Sequence, residues 1–205
     1  MKLNKKTLNL TQFAILVAIE ALFCFTPLGS LPALGPIVAT LAMIPVVITA
    51  ILMGPKFGTL MGAIAGLFSF LVWTFMPPSP LTAFIFTPFY SFGEFHGNFG
   101  SLLICFVPRI LTGTFAALVY KATSKMSNDP IRISLGAAAG SLTNTFLVML
   151  GIWLFFGQQY SSLAGQSMLL IIGSTVLTSG IPEAIVAAIA AVAVCKPVQK
   201  MMSKL

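Results

Sequence analysis

Apolar residues in this chain come in unbroken runs, neither alternating with polar ones nor confined to a single helical stripe. Each run approaches the ~20 residues that a helix needs to cross a bilayer. The pattern predicts six spanning helices, over 8–25, 37–53, 57–75, 101–120, 133–156 and 167–195. Segments of about ten alternating residues, the mark of an outer-membrane barrel, do not occur. The expected fold class is all-α: a six-helix transmembrane bundle forming a single integral membrane domain over 1–205.

Composition strengthens this reading and excludes others. The chain is 58% hydrophobic and 7% charged, with a mean hydropathy of +1.01, whereas soluble domains carry roughly 25% charged residues. No polar stretch approaches the ~50 residues of a small water-soluble domain. Cys24, Cys105 and Cys195 fall within or at the ends of spans, without a pairing pattern, and are expected as small apolar packing residues. Lys2, Lys5 and Lys6 ahead of an apolar run imitate a secretory signal. Glu20 interrupts that run and membrane-type sequence continues after it, so the first helix is expected to stay uncleaved.

The net charge of +7 invites a nucleic-acid partner, but its distribution argues against one. With both termini on one side, Lys2, Lys5, Lys6, Lys56, Lys121, Lys125, Arg132, Lys196, Lys200 and Lys204 all fall on one membrane face. The opposite face receives no Lys or Arg, and only Arg109 lies elsewhere. The positive-inside rule then puts both termini in the cytoplasm of a plasma-membrane protein.

The outward connections differ. "TPLGSLPALGP" (26–36) is rich in Pro and Gly, while "MPPSPLTAFIFTPFYSFGEFHGNFG" (76–100) is long and aromatic. Aromatic side chains in such number need burial, so this second loop is expected to fold over the bundle as a cover, with an interfacial aromatic belt as the other reading. Small residues form stripes: Gly58, Gly62 and Gly66 on the third helix, Gly136 and Gly140 on the fifth, and Ala14, Ala18 and Ala21 on the first. Such spacing lets helix backbones approach closely. Internal packing is its usual meaning, with the first-helix stripe as the candidate partner surface.

Polar residues inside apolar runs are the candidate chemistry. In "CFVPRILTG", Arg109 directly follows Pro108, about eight residues into the fourth helix and so roughly 10 Å below its outer end. A cation at the centre of a span costs about 2.5–3.5 kcal/mol. Pro108 cannot donate a backbone hydrogen bond and leaves a carbonyl free beside that charge. Asn144 shares the face of Gly136 and Gly140, and "STVLTSGIPEA" gathers Ser174, Thr175, Thr178 and Ser179 before Glu183. Two readings of Arg109 stand: a structural charge paired with Glu20 or Glu183, or a pocket residue that meets an anionic small ligand. Glu183 belongs either to that pocket or to Arg109. His96 is read as incidental.

No GxxxxGK[ST] loop, HExxH or GxSxG motif occurs, and no metal-ligand cluster. The expectation is a non-enzymatic protein without cofactor or metal. A self-sufficient secondary carrier would need a membrane-embedded ion relay, for which Glu20 and Glu183 are thin material. A membrane-embedded enzyme lacks a catalytic constellation.

Across nearly its whole length the chain resembles the substrate-binding S components of energy-coupling factor (ECF) vitamin transporters. The resemblance rests on the Ala14–Ala18 step, "IPVVITAILMGPKFGTLMGAIAGLFSF", "NFGSLLICFVPRILTG", "GSLTNTFLVMLGIWLFF" and "GIPEAIVAAIAAVAVCK", in this order. It implies a six-helix subunit that captures a vitamin outside and tips in the membrane to pass it inward. It further implies a membrane-embedded coupling subunit facing Ala14, Ala18 and Ala21, and two cytoplasmic ATPase subunits. The pocket implied is near the outer surface, between the outer halves of helices four to six, under the loops 26–36 and 76–100. There Arg109 would hold an acidic group, and Asn144 and Thr178 would bind the polar body of the ligand. Trp73, Tyr90, Asn98 and Glu183 complete the candidate set. Pantothenate, a compact carboxylate, is favoured. Folate would match Arg109 and the aromatic supply of Trp73, Phe86, Phe89 and Tyr90, and riboflavin would need stacking surfaces but no cation.

Overall fold

The computed structural model describes residues 5–26 and 41–202, and among these the architecture is almost wholly helical. Its helices are α1 (Lys5–Phe25), α2 (Met43–Met53), α3 (Pro55–Phe75), α4 (Phe99–Ala122), α5 (Asp129–Ala164), α6 (Met168–Thr175) and α7 (Ile181–Met202). A π-helical turn, Val176–Gly180, joins α6 to α7, so that Met168–Met202 makes one apolar stretch long enough to cross a membrane. Four other helices meet that length and hydropathy, whereas α2 is 11 residues long. The expected second span began at residue 37, and its first part lies outside the described residues.

Local sequence explains where the helices start and stop. Gly54, at a φ of +85°, ends α2, and Pro55 opens α3, where its missing N–H costs nothing. Asn98 caps α4 in a reciprocal box with Ser101, and the Asn128 side chain accepts from the Ile131 N–H at the head of α5. The 36 residues of α5 reach Gly165, a left-handed cap at a φ of +63°. At 1.5 Å per residue that helix is about 54 Å long, well beyond the ~30 Å hydrocarbon slab. The polar segment "GQQYSS" continues the helix where an apolar run alone had predicted its end.

Packing is organised around α4, which lies against both α3 and α5. The glycine stripe of α3 makes the first contact possible. A Cβ on Gly62 would strike the Arg109 carbonyl, and it would stand 2.8 Å from the Ile110 Cα. Gly58 and Gly113 similarly meet backbone to backbone. Gly140 abuts Thr112, Ala116 and Val47. Close approach of this kind gains dispersion in a setting where lipid offers no hydrophobic drive.

One end of the bundle collects Lys6, Lys56, Lys121, Lys125, Arg132, Lys196 and Lys200, at the start of α1, α3 and α5 and the end of α4 and α7. There Arg132 pairs with Asp129 at 2.7 Å and lies over the Tyr120 ring, whose hydroxyl accepts from Gln199. At the other end, residues 76–98 fold down onto the bundle. Pro80–Ile85 forms a 3₁₀ turn, and Ser91–Phe92 pairs with Phe95–His96 as a minimal hairpin. Phe84 and Phe86 are buried, with Phe84 packed against Phe95 and Phe156, while Phe89 stays exposed. The Ser101 hydroxyl donates to the Phe84 carbonyl and Thr74 to Thr87, tying the loop to α4 and α3. Most of the loop 26–36 lies outside the described residues. The three cysteines are free thiols.

Candidate functional site

A cavity of about 460 Å³ lies in the half of the bundle opposite the basic end. Its walls come from more helices than the last three spans. The end of α1 supplies Phe23, Cys24 and Phe25, the start of α2 supplies Met43, and α3 supplies Ala65, Ser69, Val72 and Trp73. Phe86 comes from the folded loop and Arg109 from α4. Asn144, Thr145, Val148 and Met149 come from α5, and Thr175, Ser179 and Glu183 from the α6–α7 stretch. This is an apolar cleft with a few convergent polar groups, the usual character of a small-molecule site.

Arg109 is the most constrained of these side chains. It is 6% exposed and reaches toward the outer end of α4, the direction in which long helical side chains lean. One guanidinium nitrogen donates to the Ile104 carbonyl at 2.7 Å, and the other donates to the Ser69 hydroxyl at 3.4 Å. Its Cζ lies over the Phe86 ring, 5.4 Å from the centroid, and Phe86 in turn stacks on Trp73 at 4.5 Å and 24°. Cation, phenyl and indole thus form a short column along the cavity wall, a favourable cation–π arrangement away from water. Among the described residues no carboxylate lies within 4.0 Å of the guanidinium, and Nε has no hydrogen-bond partner. Neither Glu20 nor Glu183 therefore lies within ion-pair distance of it, although Glu20 is close enough for the two charges to interact. Glu20 is fully buried and accepts from the Cys24 thiol at 3.3 Å, while Glu183 sits half-buried on the cavity wall.

Of the predicted site residues, Arg109, Asn144, Trp73 and Glu183 meet at this cavity. Thr178, Asn98 and Tyr90 do not line it. Thr178 donates its hydroxyl to the Ser174 carbonyl at 2.8 Å. Asn98 is engaged in the α4 cap, and Tyr90 lies where the outer loop bonds back to Gly97. Ser69 lines the cavity without having been named, and Phe86, Thr175 and Ser179, noted in the sequence but left out of the candidate set, line it as well. Ser69 had a signal, because Gly62, Gly66 and Ser69 share one helical stripe and that stripe faces Arg109. Ala14 and Ala18 are exposed on the outer face of α1, beside Leu10, Ile15 and Leu22, and Ala21 is half-buried. Among the described residues no group of three or more metal-ligating side chains gathers.

Comparison with known proteins gives this geometry a family. Residues 8–195 match the family described as "ECF transporter, substrate-specific component". The chain is 36% identical over 166 residues to the pantothenic acid transporter PanT of Lactococcus lactis subsp. cremoris, covering 80% of each protein. In fold it is similar to the solved structure of ThiT from Listeria monocytogenes, with a TM-score of 0.55, 21% identity, and 94% of this chain and 98% of that one covered. Components of this family bind substrate and catalyse no reaction, and an energising module of partner subunits drives their transport. A multi-pass helical bundle with a ligand-sized cavity at one end, matched over 8–195, belongs to the family of substrate-specific S components of ECF vitamin transporters.

Proposed function

We propose that this S component captures pantothenate, with Arg109 receiving its carboxylate. The observation that carries the reading is a buried guanidinium at a 460 Å³ cavity, with no carboxylate within 4.0 Å among the described residues and an unpartnered Nε. A buried cation without a carboxylate in direct contact is costly, and an incoming carboxylate relieves that cost through charge-assisted hydrogen bonds. The facing surfaces of Trp73 and Phe86 already cover each other. They favour a compact aliphatic acid over a flat ring that would need to slide between them. The 36% identity to a pantothenic acid transporter supports the same choice.

In this reading the basic end of the bundle is cytoplasmic, as are both termini, and the cavity faces outward. The exposed Ala14–Ala18 face packs against a membrane-embedded coupling subunit, which two cytoplasmic ATPases drive. Asn144 bonds the polar body of the vitamin, and Trp73, Phe86 and Met149 keep water out.

Calorimetry on the purified protein tests the proposal with pantothenate and its neutral alcohol, pantothenol. Hydrogen bonds to charged groups are worth about 1.5–3 kcal/mol, so pantothenate should bind roughly 10- to 100-fold more tightly. Arg109→Ala should erase the difference. Equal affinity for acid and alcohol, or binding of thiamin or riboflavin in place of both, overturns the proposal.

A further inference from the structure

Six buried side-chain nitrogen or oxygen atoms lack a partner among the described residues, and three of them belong to residues lining this one cavity: Arg109 Nε, Asn144 Oδ1 and Thr175 Oγ1. Such atoms are rare in folded proteins and each calls for an explanation. Arg109 is accounted for by a carboxylate. Asn144 and Thr175 stand on α5 and α6, across from α4, and nothing in the carboxylate reading uses Thr175.

Thr175 departs from a rule that its neighbours obey. In a membrane helix a threonine hydroxyl normally satisfies itself on the carbonyl four residues back. Thr49, Thr112, Thr145 and Thr178 all do so, to Pro45, Pro108, Ser141 and Ser174. Thr175 is 3% exposed and makes no such bond. It is also the last residue before the π-helical turn Val176–Gly180, and single π turns in helices concentrate at functional sites. Gly180, at the far end of that turn, seats the helix on α5: a Cβ there would stand 2.9 Å from Thr145 Cγ2, one residue beyond Asn144. The turn is thus seated on α5 one residue beyond Asn144, and Thr175 and Asn144 both line the cavity.

We propose that Asn144 and Thr175 form a hydroxyl-reading subsite, which binds the alcohol-bearing end of the ligand while Arg109 holds the acid. An amide oxygen that only accepts and a hydroxyl that both donates and accepts together complement an aliphatic alcohol, which also does both. A site built around buried polar groups rejects an analogue lacking their partner far more strongly than an apolar pocket rejects a missing methylene. The inference rests on the pantothenate reading and names the feature of that molecule which the second wall recognises.

The test compares pantothenate with an analogue whose pantoyl hydroxyls are replaced by hydrogen, by calorimetry on wild type, Thr175→Val, Thr175→Ser and Arg109→Ala. Wild type should prefer pantothenate by at least about tenfold. Thr175→Val should weaken pantothenate to the level of the deoxy analogue while leaving the analogue's own affinity unchanged, which also reports that the variant folds. Thr175→Ser should restore the preference, and Arg109→Ala should weaken both compounds by the same factor. A preference that survives Thr175→Val, or is absent from wild type while pantothenate binds tightly, overturns the subsite alone. Failure of wild type to bind either compound overturns the pantothenate reading and the subsite together.

Discussion

Arg109 donates to the Ile104 carbonyl at 2.7 Å, and Ile104 is the residue whose helical partner Pro108 removes. In a regular helix the N–H of residue 108 would take that carbonyl. Proline has none, so the acceptor stays open and the next side chain fills it. The adjacency of Pro108 and Arg109 is thus a device for aiming a guanidinium. It satisfies a backbone oxygen in the membrane and anchors the cation beside the cavity with one donor edge left over.

Pro108→Ala tests that device. The new N–H competes for the Ile104 carbonyl and frees the guanidinium from its anchor. Pantothenate affinity should fall about tenfold, the worth of one charged hydrogen bond, while affinity for pantothenol stays unchanged. Calorimetry on both ligands, with a thermal melt to establish folding, reads the outcome, and an unchanged acid-to-alcohol ratio would refute the anchoring role.

Phe86 lies between Arg109 and Trp73 in the stacked column, on a loop tied down through Phe84 and Thr87. Phe86→Ala should open the column to water and speed ligand release by roughly tenfold or more, given about 1–2 kcal/mol for a desolvated cation–π contact plus lost packing. Stopped-flow fluorescence checks this in a Trp153→Phe background. Trp153 is exposed and away from the cavity, so Trp73 becomes the single indole reporter.

Gly62→Ala should destabilise the bundle by about 1–3 kcal/mol, because the added methyl meets the Arg109 backbone. It should also shift Arg109 and weaken ligand binding. Gly173→Ala is the control, since a Cβ there meets nothing within 4 Å. Thermal melts in detergent compare the two, and similar melting points would mean that the α3–α4 contact is looser than described.

Ala14→Trp and Ala18→Trp should abolish uptake in cells while leaving purified-protein affinity within about twofold. Both alanines lie on the exposed face of α1, where an indole costs the subunit's own packing little but keeps a partner helix at a distance. Uptake assays paired with calorimetry separate the two effects. Lost binding would show instead that this face packs within the subunit.

Much of this molecule was legible in its sequence because the bilayer imposes a simple code. Apolar length located five of the spanning stretches, and lysine asymmetry marked one end of the bundle. The α3 glycines foretold a close internal contact, which the structure makes with α4. The site was less legible, since a helix tells which face a residue occupies but not which way its hydroxyl turns. Thr178 and Thr175 look equivalent in "STVLTSG", yet Thr178, inside the π turn, satisfies its own helix and Thr175, just ahead of that turn, does not, a difference that hydropathy does not encode. Asn98 and Tyr90 sit near the cavity in sequence terms but serve the loop and its cap, because backbone groups at a helix start compete for any polar side chain nearby. The contribution of α1 and α2 to the cavity was hidden for a related reason. Phe23, Cys24 and Met43 are ordinary apolar residues, and only tertiary packing turns them into walls.

The lysine-rich half of the bundle is plugged. Val47, Ala50, Ala116, Ile133, Ala137, Ala191 and Cys195 interlock there with almost no accessible surface. Among the described residues this plug stands between the cavity and the lysine-rich end, and passing it would mean parting helices joined backbone to backbone at Gly58 and Gly113. On the proposed reading, the mouth that admits the cargo also discharges it, and delivery would consist of carrying the doorway itself to the far side.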